Sequence, residues 1–204
     1  MGAGFLNDVY GARDVTSTRE LYDAWSKTYE AELAENGYAT PGRCAEALAT
    51  YTKDFTSPIL DFGCGTGLSG LALRLAGFET VDGLDISADM LAKAKTKGIY
   101  RHLEVIDADT QLRHAPGDYA AIAAMGVIGA GAAPVSVFHQ LIKSLGPGGK
   151  LVFSFNDHAL QEPVYEAALC EWLDCGAATL LFKEYGPHLP GINLKANVYV
   201  IEKK

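Results

Sequence analysis

Asp61-Phe62-Gly63-Cys64-Gly65-Thr66-Gly67 is the stretch whose residue types and spacing are most suited to chemistry. Glycines at alternate positions let the backbone take positive φ and approach a ligand where a Cβ would collide. If a helix follows, the N–H groups of its first turn have no intrahelical partners and face the same ligand. Carboxylates stand around this turn. Asp61 precedes it, and Asp85 lies 20 residues beyond Gly65. An ionised carboxylate accepts hydrogen bonds through both oxygens, which suits it to a pair of neighbouring hydroxyls. Asp107 and Ala108-Asp109 form a further acidic position. Asn156, Asp157 and His158 form another polar cluster, with His158 the candidate general base. Tyr22, Trp25 and Tyr29 form an aromatic stripe whose π-faces attract cations.

The elements that would position these residues follow from the apolar periodicity. Residues 1–15 form an arm. Ser17-Thr18-Arg19-Glu20 fits a capping box, Leu21, Trp25, Tyr29 and Leu33 continue at helical spacing, and Asn36-Gly37 ends that helix. Thr40-Pro41 opens a second helix, with Pro41 at a place where a missing N–H costs nothing. Strands are then expected at about 57–62, 79–85, 101–106, 119–125 and 150–156. Helices are expected at about 67–76, from Ser87 to near Gly98, from Pro134 onward, and from Glu162-Pro163 to about Cys175. Two β-like runs, about 177–185 and 195–202, flank a loop containing Gly186, Pro187, Pro190 and Gly191. No crossover helix fits that loop, so the two runs pair antiparallel. The expectation is an α/β fold: a doubly wound, seven-stranded, mostly parallel sheet with an antiparallel C-terminal strand and an N-terminal helical cap. Residues 1–204 are read as a single domain, with 1–56 the arm and cap and 57–204 the Rossmann-like core. Ligands of such sheets lie beyond the carboxyl ends of the strands, at the topological switch point.

The glycine turn leaves the nucleotide open. Gly65-Thr66-Gly67-Leu68-Ser69-Gly70 satisfies the dinucleotide pattern G-x-G-x-x-G, and Asp85 has the spacing that pattern asks. Four features point instead to S-adenosylmethionine. Asp61 would repel a pyrophosphate but suits an ammonium and a sulfonium. A carboxylate at Asp109, or at its neighbour Asp107, can accept from an adenine amino group. Leu145-Gly146-Pro147-Gly148-Gly149-Lys150-Leu151-Val152 resembles the turn before strand five of class I S-adenosylmethionine methyltransferases. The terminal hairpin resembles their last two strands. Together with Tyr22-Asp23-x-Trp25-x-x-x-Tyr29-Glu30, the chain most resembles the small methyltransferase-like proteins named after the Williams–Beuren syndrome region.

That resemblance implies S-adenosylmethionine as cofactor, S-adenosylhomocysteine as product, and a division of roles. Gly63, Cys64, Gly65 and Gly67 wrap the methionine portion. Asp61 orients its amino-acid end, and Asp85 grips the ribose. Ile86 and Met90 sandwich the adenine, with Ala108 and Asp109 at its edge. Met125 and Gly126 border the methionine moiety, and Tyr22, Trp25 and Tyr29 close over the cofactor. The Asn-Pro-Pro-Tyr motif of many amino-directed methyltransferases is replaced by Met125-Gly126-Val127-Ile128, which argues against nucleobase and protein-glutamine acceptors. A small-molecule acceptor is expected, its nucleophilic atom open. A binding module without turnover and an NAD-dependent oxidoreductase are the alternatives.

Composition bounds the rest. The chain has 204 residues, 49% of them hydrophobic, and a formal net charge of −8. Such a balance disfavours nucleic acid, whose affinity rests on Lys and Arg. No apolar run approaches the roughly 18–20 residues needed to cross a bilayer. Met1 to Tyr10 lacks the pattern of a secretory signal, and Leu6 stands where a myristoylation signal wants Ser or Thr. A cytoplasmic monomer or homodimer without a metal is expected. Cys44, Cys64, Cys170 and Cys175 read as reduced, mostly buried thiols. His102, His114, His139 and His188 read as surface or edge residues.

Overall fold

The computed structural model describes residues 28–107, 112, 114–129 and 132–204. Helix α1 (Tyr29–Glu35) and helix α2 (Thr40–Thr50) form the described part of the cap, and Pro41 lies in the first turn of α2. Strand and helix then alternate: β1 (Ile59–Phe62), α3 (Leu68–Leu75), β2 (Val81–Asp85), α4 (Ala88–Thr96), β3 (His102–Val105), β4 (Ala121–Ala124), α5 (Val135–Ser144) and β5 (Lys150–Asn156). A short helix α6 (Asp157–Leu160), helix α7 (Pro163–Asp174), β6 (Ala178–Leu189), a 3-10 turn (Pro190–Ile192) and β7 (Leu194–Lys203) complete the chain. The seven strands lie in the order β3-β2-β1-β4-β5-β7-β6. The first five are parallel, and β7 runs antiparallel to both β5 and β6.

Alternation along the strands divides the core between two sheet faces. Ile122, Leu151, Phe153, Phe155 and Tyr199 pack under Phe138 and Leu141 of α5 and Leu169 of α7. Ala121, Ala123, Val152 and Val198 pack under Cys44 and Leu48 of α2 and Leu73 of α3. The central strand β4 is buried throughout, as a parallel strand covered on both faces must be. The β3–β4 connection contains no helix among its described residues.

The expected loop around Gly186 and Pro187 is instead strand: β6 runs on to Leu189, with a register shift between Pro187 and Leu189. Arg43 explains why. Its guanidinium donates to the carbonyls of Glu184 at 2.9 Å, Pro187 at 3.0 Å and Ala196 at 3.1 Å, pinning the irregular stretch. Proline is tolerated because β6 is an edge strand. Gly186 makes room, since a Cβ there would lie 2.8 Å from an Arg43 nitrogen. Cys44 and Cys64 are buried as expected, whereas Cys170, within α7, and Cys175, just beyond it, are exposed.

Candidate functional site

The glycine turn lies between β1 and α3, at the carboxyl edge of the sheet. Gly63, Gly65 and Gly67 all have positive φ, at +70°, +53° and +93°. The N–H groups of Gly63 and Cys64 both donate to the Leu84 carbonyl, at 2.8 and 3.0 Å, which hangs the turn on the end of β2. A Cβ on Gly65 would meet nothing within 4 Å, so the turn is open on that side. A cavity of about 1160 Å³ begins there, with Gly63, Gly65, Asp85, Ile86, Met90, Ile106, Met125, Gly126 and Tyr29 among its lining residues.

Asp85 ends β2 and is 8% exposed. Gly65 N–H donates to its Oδ2 at 2.7 Å, and Ser87 N–H to its Oδ1 at 2.9 Å. Two backbone donors therefore fix the carboxylate plane against the cavity. Ser87 then caps α4, accepting from Met90 N–H at 3.1 Å. That cap sets the first turn of α4 so that Met90, itself almost fully buried, reaches the cavity wall beside Ile86.

Asp61 lies behind the turn and is 1% exposed. Its Oδ2 accepts from Ser69 Oγ at 2.6 Å and from the Tyr100 hydroxyl at 2.7 Å, while Oδ1 is buried without a partner. Burial pushes this carboxyl up to about 6, against those two hydrogen bonds, and the nearby Asp85 charge adds to the rise. Cys64 is also turned inward, and its Sγ would lie 2.8 Å from a Cβ on Gly83. Burial raises its pKa, which keeps it a thiol. Gly67 packs against Tyr100 and Ala94.

Gly126 leaves the end of β4 with φ +71°, and its N–H donates to Ser154 Oγ of β5 at 2.9 Å. A Cβ on Gly126 would collide with the Tyr38 hydroxyl. The glycine is therefore what lets the cap approach the strand ends. Lys97, just beyond α4, adds a second tie. It donates to the Thr66 carbonyl at 2.8 Å and pairs with Glu30 of α1.

Asn156, Asp157 and His158 come together after β5, where two of them build the turn. Asn156 Oδ1 accepts from Ala159 N–H at 3.0 Å and caps α6. Asp157 accepts from the Tyr185 hydroxyl at 2.7 Å and from Lys195 N–H at 2.9 Å. Asp107 is exposed beyond β3. Tyr22, Trp25, Ala108 and Asp109 lie outside the described residues.

His188 corrects the expectation of a surface histidine, being 5% exposed. The register shift beside it turns it onto the cap, where its Nδ1 lies 2.7 Å from Thr40 Oγ1 and its ring meets Tyr38 edge-on. Burial pushes its pKa down to about 4 despite the charge of Asp157, with Arg43 and His158 lowering it further. His139 accepts from Trp172 Nε1 at 2.9 Å, and His114 lines the cavity. Among the described residues no group of three or more His, Cys, Asp or Glu has the placement to hold a metal, and no helix is long and apolar enough to cross a membrane. Tyr100 and His188 are the residues that sequence reasoning missed. No local motif marks either, because their contacts join segments 30 to 148 residues apart.

Residues 59–149 match the family described as a methyltransferase domain. The chain is 29% identical over 143 residues to methyltransferase-like protein 27 of Homo sapiens, across 69% of this chain and 58% of that protein. It is 30% identical over 112 residues to a ubiquinone biosynthesis O-methyltransferase of Hydrogenovibrio crunogenus, across 51% of this chain and 46% of that protein. The chain thus spans about half the length of these curated relatives. Among solved structures, the putative methyltransferase in a complex with the Haloferax volcanii Trm112 methyltransferase activator superposes with a TM-score of 0.66 at 19% identity, covering 90% of this chain and 96% of that one. Magnesium protoporphyrin IX methyltransferase from Synechocystis PCC 6803, with bound S-adenosylmethionine, gives 0.59 at 17% identity, covering 98% and 90%. These two likenesses establish the fold.

Proposed function

We propose that this chain is a class I S-adenosylmethionine-dependent methyltransferase and transfers a methyl group from S-adenosylmethionine to a small-molecule acceptor, a reading supported by its methyltransferase-domain match and its likeness to methyltransferase-like protein 27. The observation that carries the reading is the Asp85 carboxylate, fixed by the N–H groups of Gly65 and Ser87 beside a glycine turn that opens into the cavity. The residues present fit the cofactor. On this reading Asp85 takes the ribose hydroxyls, Ile86 and Met90 the adenine faces, and the orphaned Oδ1 of Asp61, behind the turn, supplies negative potential for the amino-acid end, which the cavity lining by Asp85, Ile86 and Met90 supports. The volume of about 1160 Å³ exceeds the upper range of ordinary single-ligand pockets, about 1,000 Å³, and so leaves room for an acceptor as well.

Bound S-adenosylmethionine supplies a methyl group already activated on sulfonium, ready for in-line displacement. The chain's own residues bind, orient and exclude water. Met125 and Gly126 border the cavity at the end of β4, and Tyr29 covers it from the cap. The net charge of −8 and the likeness to relatives named O-methyltransferases support a small acceptor with an oxygen nucleophile. Calorimetric titration tests the reading. S-adenosylhomocysteine should bind at micromolar concentration, and Asp85→Ala should weaken it about a hundredfold through lost charge-assisted bonds. Wild-type protein that binds neither cofactor form would remove the proposal. Transfer of labelled methyl to any acceptor in a metabolite extract separates turnover from simple binding.

A further inference from the structure

Helix α3 starts without a cap of its own. Its N-cap is Gly67, which has no side chain to accept from the first turn. A side chain there would crowd the turn, since a Cβ would lie 3.2 Å from the Tyr100 ring and 3.3 Å from Ala94 Cα. First-turn N–H groups left bare are costly. The acceptor comes from elsewhere in the chain. Gly70 N–H, three residues past the cap, donates to the Tyr100 hydroxyl at 3.1 Å. The same hydroxyl donates to Asp61 Oδ2 at 2.7 Å, an oxygen that also accepts from Ser69 Oγ at 2.6 Å. The Tyr100 ring fills the space that a Cβ on Gly70 would need and lies 3.0 Å from one on Gly83. One phenol therefore joins the end of β1 to the first turn of α3. With Oδ2 doubly engaged, Oδ1 is the Asp61 oxygen left without a partner.

We infer that Tyr100 is a positioning residue for the amino-acid end of the cofactor, acting through Asp61 and the first turn of α3. The inference rests on the methyltransferase reading above. Glycine at 67 is required by the turn, so no local side chain can cap the helix. A hydroxyl on a rigid ring does this from behind while leaving the ligand side of the turn clear. It also orients Asp61, so that the negative potential behind the turn is held in one direction.

The test compares two ligands. S-adenosylhomocysteine carries the amino-acid end, and 5′-methylthioadenosine lacks it. Tyr100→Phe keeps the ring and removes only the hydroxyl, and it should weaken S-adenosylhomocysteine roughly tenfold, as loss of a hydrogen bond to a charged group does. Binding of 5′-methylthioadenosine should change less than about twofold on the same reasoning, since that ligand does not reach the perturbed group. Asp61→Asn should give the same split, and the double variant should be no weaker than the poorer single one. If Tyr100→Phe does not fold, Ser69→Ala takes its place, removing the other donor to Oδ2. Equal losses for both ligands would mean a general loosening of the fold and overturn the inference. So would unchanged S-adenosylhomocysteine binding, or losses that multiply in the double variant. Wild-type protein that binds neither ligand overturns the methyltransferase reading first, before any variant is compared.

Discussion

Replacing Gly63 by alanine perturbs the turn in two separable ways. The residue sits at φ +70°, where an L side chain is strained. An alanine there costs about 1–2 kcal/mol on conformational grounds. Its Cβ would also lie 2.6 and 2.8 Å from the two Val127 methyl carbons, well inside contact distance. Relieving such overpacking costs a further 1–3 kcal/mol, roughly. The sum centres near 3.5 kcal/mol, which for a chain of this size lowers Tm by roughly 7–14 °C. Val127→Ala removes both offending methyl carbons, so Gly63→Ala/Val127→Ala should recover the packing part and keep the conformational part. Urea denaturation of the four proteins completes the cycle. The expected coupling is about 1–3 kcal/mol, favouring the double variant. A Gly63→Ala protein within 1 kcal/mol of wild type on that scale, or a coupling of zero, would refute the reasoning.

Two buried titrating groups, Asp61 and His188, should bend the pH profile of stability in opposite directions. The folded-state pKa of Asp61 is raised to about 6, so the native state binds the extra proton between roughly pH 4 and 6 and stability falls as pH rises through that window. Asp61→Asn should remove about 3 kcal/mol of that fall in urea titrations at pH 4 to 7, and an unchanged slope would contradict the assignment. The folded-state pKa of His188 is lowered to about 4, so its contribution is intact above about 6.5 and is lost as pH falls toward 4. His188→Gln should therefore resist acid better than wild type over that range, since burial sets the midpoint, with Asp157 opposing it and Arg43 and His158 adding to it. Arg43→Ala leaves three carbonyls without their donor and should cost about 2–4 kcal/mol, with faster amide exchange confined to residues 184–196. Exchange that rises evenly over the whole sheet would argue against a local pin.

Elements announced by local signals were legible in the sequence. Ser87 read as a cap and accepts from Met90, β5 has the bounds its apolar run suggested, and the glycine turn sits where alternate glycines placed it. The short helix Asp157–Leu160 escaped because four residues carry no periodicity. Pro187 read as a loop because proline withholds a ladder donor, and only the folded sheet shows that it lies on an edge strand, with Arg43 holding its carbonyl. The candidate site divided along the same line. Asp85 ends β2 and Ile86 follows it, a position legible from spacing. The burial of Asp61 behind the turn and its ties to Ser69 and Tyr100 depend on which side of a strand end faces the cavity, and spacing alone does not fix that. The polar cluster after β5 shows the converse: residue types suited to proton transfer can be engaged in holding a turn.

The placement of β7 between β5 and β6 sets an order on biosynthesis. Strand β6 leaves the ribosome before β7, its one partner among the described strands, and β5 keeps an open edge until residues 194–203 emerge. Unpaired edges of this kind are sticky, and nascent chains that carry them are exposed to mispairing. Closure of this half of the sheet thus waits for β7. A ribosome stalled short of Leu194 would hold five parallel strands with the edge of β5 bare.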